Sequence, residues 1–372
     1  MNPRNYLVSL LSASFLSLIF TASLSAQKPP KPTRLWSKGP LTKGEVVGSF
    51  SVGSDGVHLS NPHIDSQTGS VFSATRSIAF VGDRIILASR TGSRTVPGKQ
   101  VPQSVYQLIS LDVATGTIKD SRELLAFASV QVFGTNDAHV IVIGRETMRL
   151  TPDLKNDELF DDSATKSKSA RVENISPDGS ALGYETMPGF SLLDTRTLKI
   201  TQITTVPSVS SSVNSKGFLT DNVHWTGQFP KDLGFVTYTD ANGPHLLYHG
   251  PCGGRPEFLT DTLILEPGCK TGAIILDTNG QVIKTIEVNG NFSFAGVSQN
   301  GRRFALQLRE SRSDGSLKKE RFVIYSVETW EALAEVSPDQ VAEGQSWTAF
   351  SPDGSMFVVG SPLKLGLYRL PQ

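Results

Sequence analysis

The sequence lacks an excess of either charge, and outside its first 26 residues it lacks an apolar run long enough to cross a bilayer. Its 35 Lys and Arg balance 35 Asp and Glu, and loss of Arg4 with the N-terminal segment leaves 34 against 35. Without a basic field, we predict no nucleic-acid partner and no attraction to anionic lipid. Without a second apolar run, we predict no transmembrane segment in the mature chain.

The usual sequence signatures of catalysis are missing as well. The chain has no G-x-S-x-G nucleophile elbow, no phosphate-binding P-loop and no dinucleotide fingerprint. Nucleophilic chemistry therefore has no support, and we assign no catalytic, cofactor-binding or metal-binding residue.

The first 26 residues have the pattern of a secretion signal. Arg4 supplies a positive charge, residues 7–24 are apolar apart from Ser and Thr, and small residues precede a cleavage point after Ala26. Residues 27–43 begin with a proline-rich stretch and are predicted to be a stiff, extended linker. We therefore predict a secreted or periplasmic protein with a single domain over residues 44–372.

One tight turn occurs twice in the chain. Ser176-Pro177-Asp178-Gly179 returns as Ser351-Pro352-Asp353-Gly354, where the proline suits a type I turn and the glycine suits the left-handed position after it. Weaker copies between apolar segments contain Asp83, Asp137, Lys216-Gly217, Asp261 and Asn300-Gly301. Asp83 and Asp353 are 270 residues apart, or six steps with a mean of 45. A four-stranded propeller blade repeats with a period of about 40–45 residues.

A second turn marker follows the same period. Asp112, Asp194 and Asp277 are 82 and 83 residues apart, about two periods each, and we place each between the third and fourth strands of a blade. The strands after the first marker are continuous apolar runs, which is typical of strands covered on both faces. Together these patterns predict an all-β fold, a seven-bladed β-propeller of four-stranded blades.

The last blade has only three strands before the chain ends. We predict that an N-terminal strand at residues 45–52 completes this blade and closes the ring, which also covers an open sheet edge. An eighth blade built from residues 33–75 is the alternative, but this segment lacks an inner apolar run.

The Ser-Pro-Asp-Gly turns resemble those of the WD-like propeller repeats of exported bacterial proteins, including the TolB-like and surface-layer (YVTN-type) kinds. The resemblance covers roughly residues 44–372 and implies a fold without implying a catalytic residue. None of the four tryptophans precedes Asp, and no Gly-His pair occurs, so the repeats depart from strict WD repeats. The partners of true WD proteins are therefore not implied.

The two faces of such a propeller should differ. With strands a to d running from axis to rim, the a–b and c–d turns open on one face. The b–c and d–a loops open on the other face, where insertions usually carry function. The long b–c loops 89–104 and 309–321 are candidate anion-binding arms, although a solvated hairpin tip is the simpler interpretation. Their basic residues are Arg90, Arg94, Lys99, Arg309, Arg312, Lys318, Lys319 and Arg321.

The two cysteines fall on this second face. Cys252 is in a d–a loop and Cys269 in the next b–c loop, on neighbouring strands of one blade. For an exported chain we predict a disulfide, with two free thiols as the alternative.

The candidate metal ligands are poorly arranged. His224, His245 and His249 share the fourth blade but should not converge on one ion. A segment at 157–171 contains Asp157, Asp161 and Asp162 without the spacing of a calcium loop, and we interpret it as a linker between blades.

From these features we expect a non-catalytic, monomeric propeller that uses no cofactor. Its partner would be another protein or an envelope component, bound through the b–c and d–a face. The alternative is a small-molecule hydrolase of the lactonase kind, with a divalent metal in the axial channel, where a quinoprotein-like site would also lie.

Overall fold

Seven sheets of four antiparallel strands form the fold, which is a seven-bladed β-propeller as the sequence predicts. The computed structural model describes residues 29–38, 50–53, 56–59, 63–64, 71–72, 77–95, 103–126, 130–144, 147–159, 171–185, 189–206, 212–221, 234–250, 254–269, 272–313, 317–337, 346–360 and 365–372. Within these ranges there is no helix, and hence none that could cross a membrane.

In blades 1 to 6, each strand pairs with the next strand along the chain. Strands a to d of blades 1, 2 and 3 are, in order, Ser77–Val81, Arg84–Arg94, Gln103–Asp112, Ile118–Ala126; Gln131–Gly134, Val140–Ile143, Thr147–Leu150, Asn156–Leu159; and Arg171–Ile175, Ala181–Glu185, Phe190–Asp194, Ile200–Thr204. Those of blades 4, 5 and 6 are Ser212–Val213, Phe218–Asp221, Gly234–Asp240, Gly243–Gly250; Glu257–Phe258, Leu263–Cys269, Gly272–Asp277, Val282–Glu287; and Asn291–Val297, Arg303–Ser311, Leu317–Ser326, Ala332–Val336.

Blade 7 joins the two ends of the chain. Its strands a to c are Trp347–Phe350, Met356–Gly360 and Leu365–Arg369, and its strand d is the N-terminal strand Thr33–Lys38. The prediction of an N-terminal closing strand is confirmed, but its position at 45–52 is wrong. The closing strand begins directly after Pro32, where backbone N–H groups become available again, inside the segment that was predicted to be a linker. Just before it, the Pro30 carbonyl accepts a hydrogen bond from the Glu335 amide on the rim of blade 6.

The remaining N-terminal strands do not make an eighth blade. Phe50–Gly53 pairs with Gly56–Leu59, and His63–Ile64 pairs with Val71–Phe72, each as a separate two-stranded sheet. The alternative of eight blades is therefore wrong for the described residues.

Burial explains why strand b of each blade is apolar on both faces. In blade 1, Ile86 packs toward blade 2, whereas Ile85 and Leu87 pack toward blade 7. Among the described residues there are seven hydrophobic clusters, one between each pair of neighbouring blades, including the pair formed by blades 7 and 1. The core is thus a ring of interblade layers, and blade 7 is packed on both sides.

The residues of the first turn marker all lie between strands a and b, and Asp112, Asp194 and Asp277 of the second marker end strand c before strand d. In blade 3, the Ser176 hydroxyl donates to Asp178 Oδ1 at 2.6 Å and accepts from the Ala181 amide at 2.9 Å. Blade 7 repeats both bonds through Ser351, at 2.6 Å to Asp353 and 2.9 Å from Met356. Gly179 and Gly354 follow with positive φ values of 75° and 71°. The turns are therefore closed by their own side chains.

Candidate ligand-binding site

A cavity of about 730 Å³ opens among blades 1, 5, 6 and 7. It is lined by the first residues of strand a in these blades, including Ser77, Glu257, Ser293 and Trp347. Strand a of every blade begins after a d–a loop, so the cavity is the mouth of the axial channel on the b–c and d–a face. We call this cavity the funnel.

The channel continues below the funnel as a smaller cavity of about 240 Å³. Ile78, Phe294 and Thr348 line both cavities. Near the opposite face, Gln299 of blade 6 donates a hydrogen bond from Nε2 to the Gly134 carbonyl of blade 2, at 2.9 Å. Blades 6 and 2 are not neighbours, so this bond bridges the channel and leaves the funnel as its wider opening.

A hydrogen-bonded polar network forms one wall of the funnel. Its centre is Glu320, a carboxylate that is only 2% exposed, on strand c of blade 6. Glu320 Oε1 accepts from Gln307 Nε2 at 2.5 Å and from Arg309 Nε at 3.2 Å, and Oε2 accepts from the Ser346 hydroxyl at 2.5 Å. Gln307 in turn accepts from the Ser293 hydroxyl at 3.1 Å. A buried carboxylate needs such donors, and this one has three.

Arg309 is the member of this network that keeps unused donors. It lies directly across from Glu320 in the strand b–strand c ladder, and its side chain is 39% exposed at the funnel wall. Only its Nε is engaged, since the described part of the chain offers no hydrogen-bond or ion-pair partner to Nη1 or Nη2. The guanidinium is thus held by Glu320 through Nε, and its two terminal nitrogens remain available as donors.

Aromatic side chains supply the rest of the wall. Phe292, Phe294 and Trp347 are half-buried residues of strands a in blades 6 and 7. On the side of blade 5, Arg255 Nε lies 3.4 Å from Glu257 Oε1. The funnel can therefore offer apolar contact, fixed hydroxyl and amide groups, and one partly open guanidinium to the same ligand.

The eight basic residues proposed as binding arms do not all lie in loops. Arg90, Arg94, Arg309, Lys318, Lys319 and Arg321 lie on strands, because the b and c strands of blades 1 and 6 extend much further than the predicted loop boundaries allow. The loop prediction is wrong for these six, since ladder pairing of the backbone continues through the polar residues. Arg312 lies in the remaining turn, and Lys99 lies outside the described residues.

Two of these arginines form ion pairs away from the funnel. Arg94 donates to both carboxylate oxygens of Glu123, at 2.8 and 3.1 Å. Arg321 Nη1 lies 3.1 Å from Glu335 Oε2, whose side chain is buried. Of the sequence candidates that the structure describes, Arg309 is the one that lines the funnel.

The disulfide stays a prediction, because Cys252 lies outside the described residues and Cys269 ends strand b of blade 5. Gly254, two residues after Cys252, does lie against strand b of blade 5, which ends at Cys269. The Gly254 amide donates to Glu266 Oε1 at 2.9 Å, and a Cβ at Gly254 would lie 2.6 Å from the Pro267 carbonyl.

The histidine and aspartate candidates have separate roles. His245 lies 3.4 Å from Asp240, His249 stacks on Phe235, and His224 is outside the described ranges, as are Asp161 and Asp162. Asp157 accepts from Arg149 Nη1 at 2.8 Å. Across the part of the chain that the structure describes, no three His, Cys, Asp or Glu side chains are arranged to hold one metal ion.

Sequence reasoning missed most of the funnel. Glu320, Gln307, Ser293 and Ser346 had no repeated motif, and Trp347 was considered only for the missing WD pair. One signal was present: strand a of blade 6, with Phe292 and Phe294 between polar residues, alternates where the b strands do not. No protein-family model matches this chain, and no curated protein matches its sequence.

Proposed function

We propose that this chain is an exported, non-catalytic binding propeller of the WD-like bacterial kind, whose partner docks at the funnel. The observation that carries the proposal is the 730 Å³ funnel on the b–c and d–a face, with aromatic and hydrogen-bonding side chains on one wall. The partner would be a protein or an envelope component, with part of it inserted into the funnel.

A comparison of the two faces tests this proposal. A photo-cross-linking residue would replace Arg255, which lines the funnel and is half exposed, or Arg302, which is exposed at the a–b turn of blade 6. We expect a discrete cross-linked partner from position 255 in the native host and none from position 302. Equal cross-linking from both positions, or a stoichiometric divalent metal in the purified protein, would contradict the proposal.

Export has its own test. N-terminal sequencing of the protein from host cells should read from Gln27, after cleavage at Ala26. A cytoplasmic protein that begins at Met1 would contradict export and would leave the binding role to be judged by the cross-linking result.

A further inference from the structure

We infer that Arg309 is the anchor for a carboxylate group, and that the ligand of the funnel carries this carboxylate next to an apolar or aromatic group. The inference rests on the proposed function and names the chemistry of the ligand at the same site. It starts from Arg309, whose Nε is held by a buried carboxylate and whose side chain is 39% exposed at the funnel wall, with no partner for its two terminal nitrogens among the described residues.

The geometry around Arg309 reduces the conformational entropy that its side chain would lose on binding an anion. The Nε bond to Glu320 fixes the plane of the guanidinium before any ligand arrives, and Glu320 itself is held by Gln307 and Ser346. A guanidinium with two free terminal nitrogens matches a carboxylate in a bidentate arrangement. Because the side chain is already ordered, less conformational entropy is lost on binding.

The charges around the funnel favour a monoanion over a dianion. Arg255 and Arg309 are the cations on the wall, Glu257 is an anion on it, and Glu320 and Glu266 are buried directly behind it. Among the described residues these two cations face three anions, so no excess of positive charge is present to balance a dianion such as a phosphate monoester. A carboxylate on Arg309 needs only the one guanidinium.

The apolar part of the ligand follows from the neighbours of Arg309. Phe292 and Trp347 lie on the same wall, and both are half-buried. An aromatic or aliphatic group beside the carboxylate would cover these rings and remove their surface from water. The C-terminus of a peptide that ends in an apolar residue has this combination, and so does a free aryl or alkyl carboxylic acid.

The test is a calorimetric comparison of acids with their amides on the full mature chain. N-acetyl-phenylalanine and its amide represent a peptide C-terminus, 3-phenylpropionate and its amide represent a free acid, and phenyl phosphate represents a dianion. We expect an acid to bind about ten- to a hundredfold more tightly than its amide, as for one charge-assisted hydrogen-bonding group. Preference for N-acetyl-phenylalanine would assign a peptide C-terminus, whereas equal binding of both acids would assign the carboxylate alone.

The variants separate a binding role from a structural one. Arg309→Gln should remove the difference between acid and amide, whereas Arg309→Lys should retain part of it, because Lys keeps the charge without the fork. Arg302→Gln is the matched control: it removes one positive charge from the same blade at the opposite face, and the difference should persist. If Arg309→Gln folds poorly, the double variant Arg309→Gln/Glu320→Gln removes both charges of the pair and should also lose the difference.

Three results would overturn the inference. They are equal binding of acids and amides to the natural chain, tighter binding of phenyl phosphate than of either acid, and absence of binding by every probe. A variant at Arg309 that still distinguishes acid from amide would overturn it as well. If the probes fail while position 255 still cross-links to a partner, the carboxylate inference is wrong and the proposed function stands.

Discussion

The two faces of the propeller use arginine and carboxylate side chains in opposite ways. Near the turn face, both terminal nitrogens of Arg149 are engaged, Nη2 by Asp137 at 2.6 Å and Nη1 by Asp157 at 2.8 Å, and its side chain is 8% exposed. At the funnel, Arg309 has the same kind of partner but uses only Nε. The difference teaches that terminal nitrogens engaged within the fold indicate a structural role, whereas unused terminal nitrogens beside a cavity indicate binding.

Repetition separates the faces in the same way. In the a–b turns of blades 2, 3, 6 and 7, a Ser or Thr hydroxyl donates to an Asp or Asn two residues later, as in Thr135 to Asp137 at 2.5 Å and Ser298 to Asn300 at 2.7 Å. The funnel network of Glu320 occurs only in blade 6 among the described residues. A feature shared by several blades should affect stability, and a feature present once should affect binding.

Acid should produce the largest loss of stability, because it reaches many turns at once. Partial burial opposes ionisation of Asp353, but hydrogen bonds from Ser351 and Ser355 outweigh it and hold the pKa below 3.8. Hydrogen bonds from Lys155 and Thr151 lower the pKa of Asp153 to about 2. The pKa values of five other turn aspartates are also lowered, namely those of Asp112, Asp137, Asp194, Asp240 and Asp277.

A lowered carboxyl pKa stabilises the fold above the unfolded-state value, and this stabilisation is lost as the pH falls toward the folded-state value. The urea midpoint should therefore stay constant from pH 7 to about pH 5 and fall between about pH 4 and 2. Asp353→Asn should make the fall less steep, since Asn keeps an acceptor but does not titrate. A midpoint that is unchanged at pH 3 would contradict the role assigned to the turns.

Among single substitutions, those of Arg149 and Arg309 should differ in their effect on the free energy of unfolding. Arg149→Gln leaves Asp137 and Asp157 close together without their arginine and with only His139 near both, and we expect a loss of about 3 kcal/mol in the free energy of unfolding. Arg309→Gln leaves the buried Glu320 without its cation but with Gln307 and Ser346 still donating to it, and we expect a smaller loss of about 2 kcal/mol. Urea unfolding at pH 7 measures both. Equal losses would show that the open arginine supports the fold as much as the enclosed one.

Removal of a single turn carboxylate should have a smaller effect. Asp353→Ala takes away the acceptor for the Ser351 hydroxyl and for the Ser355 amide, with an expected loss of about 1–2 kcal/mol. Asp353→Asn is the control and should cost less, because Asn300 occupies this position in blade 6 and accepts the same two kinds of bond. Both variants should keep the acid-to-amide difference at the funnel. A variant that remains stable but loses ligand binding would contradict the separation of the faces.

The sequence predicted the blades because turns and apolar strands are local features that repeat. Asp83 and Asp353 could be placed in phase without knowledge of any contact. The closing strand was misplaced because Thr33–Lys38 and 45–52 are both plausible strands, and the choice depends on pairing with Leu365–Arg369 at the far end of the chain. The funnel was missed for a similar reason: Ser293, Gln307, Glu320 and Ser346 meet across three strands and a loop. Contacts of this kind leave no period in the sequence.

Substitutions to and from glycine at one position of two equivalent turns should change the stability least, and they test most directly whether the turns are equivalent. Ala138 occupies in blade 2 the position of Gly179, Gly301 and Gly354, and it has the same left-handed backbone, with φ of 60°. A Cβ is unfavourable there by about 1–2 kcal/mol, while glycine costs about 0.5–1 kcal/mol in unfolded-chain entropy, so Ala138→Gly should stabilise by about 0.5 kcal/mol. Gly354→Ala should destabilise by more than this gain, because its Cβ would also lie 3.2 Å from the Ser298 side chain. Thermal unfolding of the two variants should therefore shift in opposite directions. Shifts of the same sign would mean that the turns of blades 2 and 7 are not energetically equivalent. The repeated turn would then be a similarity of sequence alone.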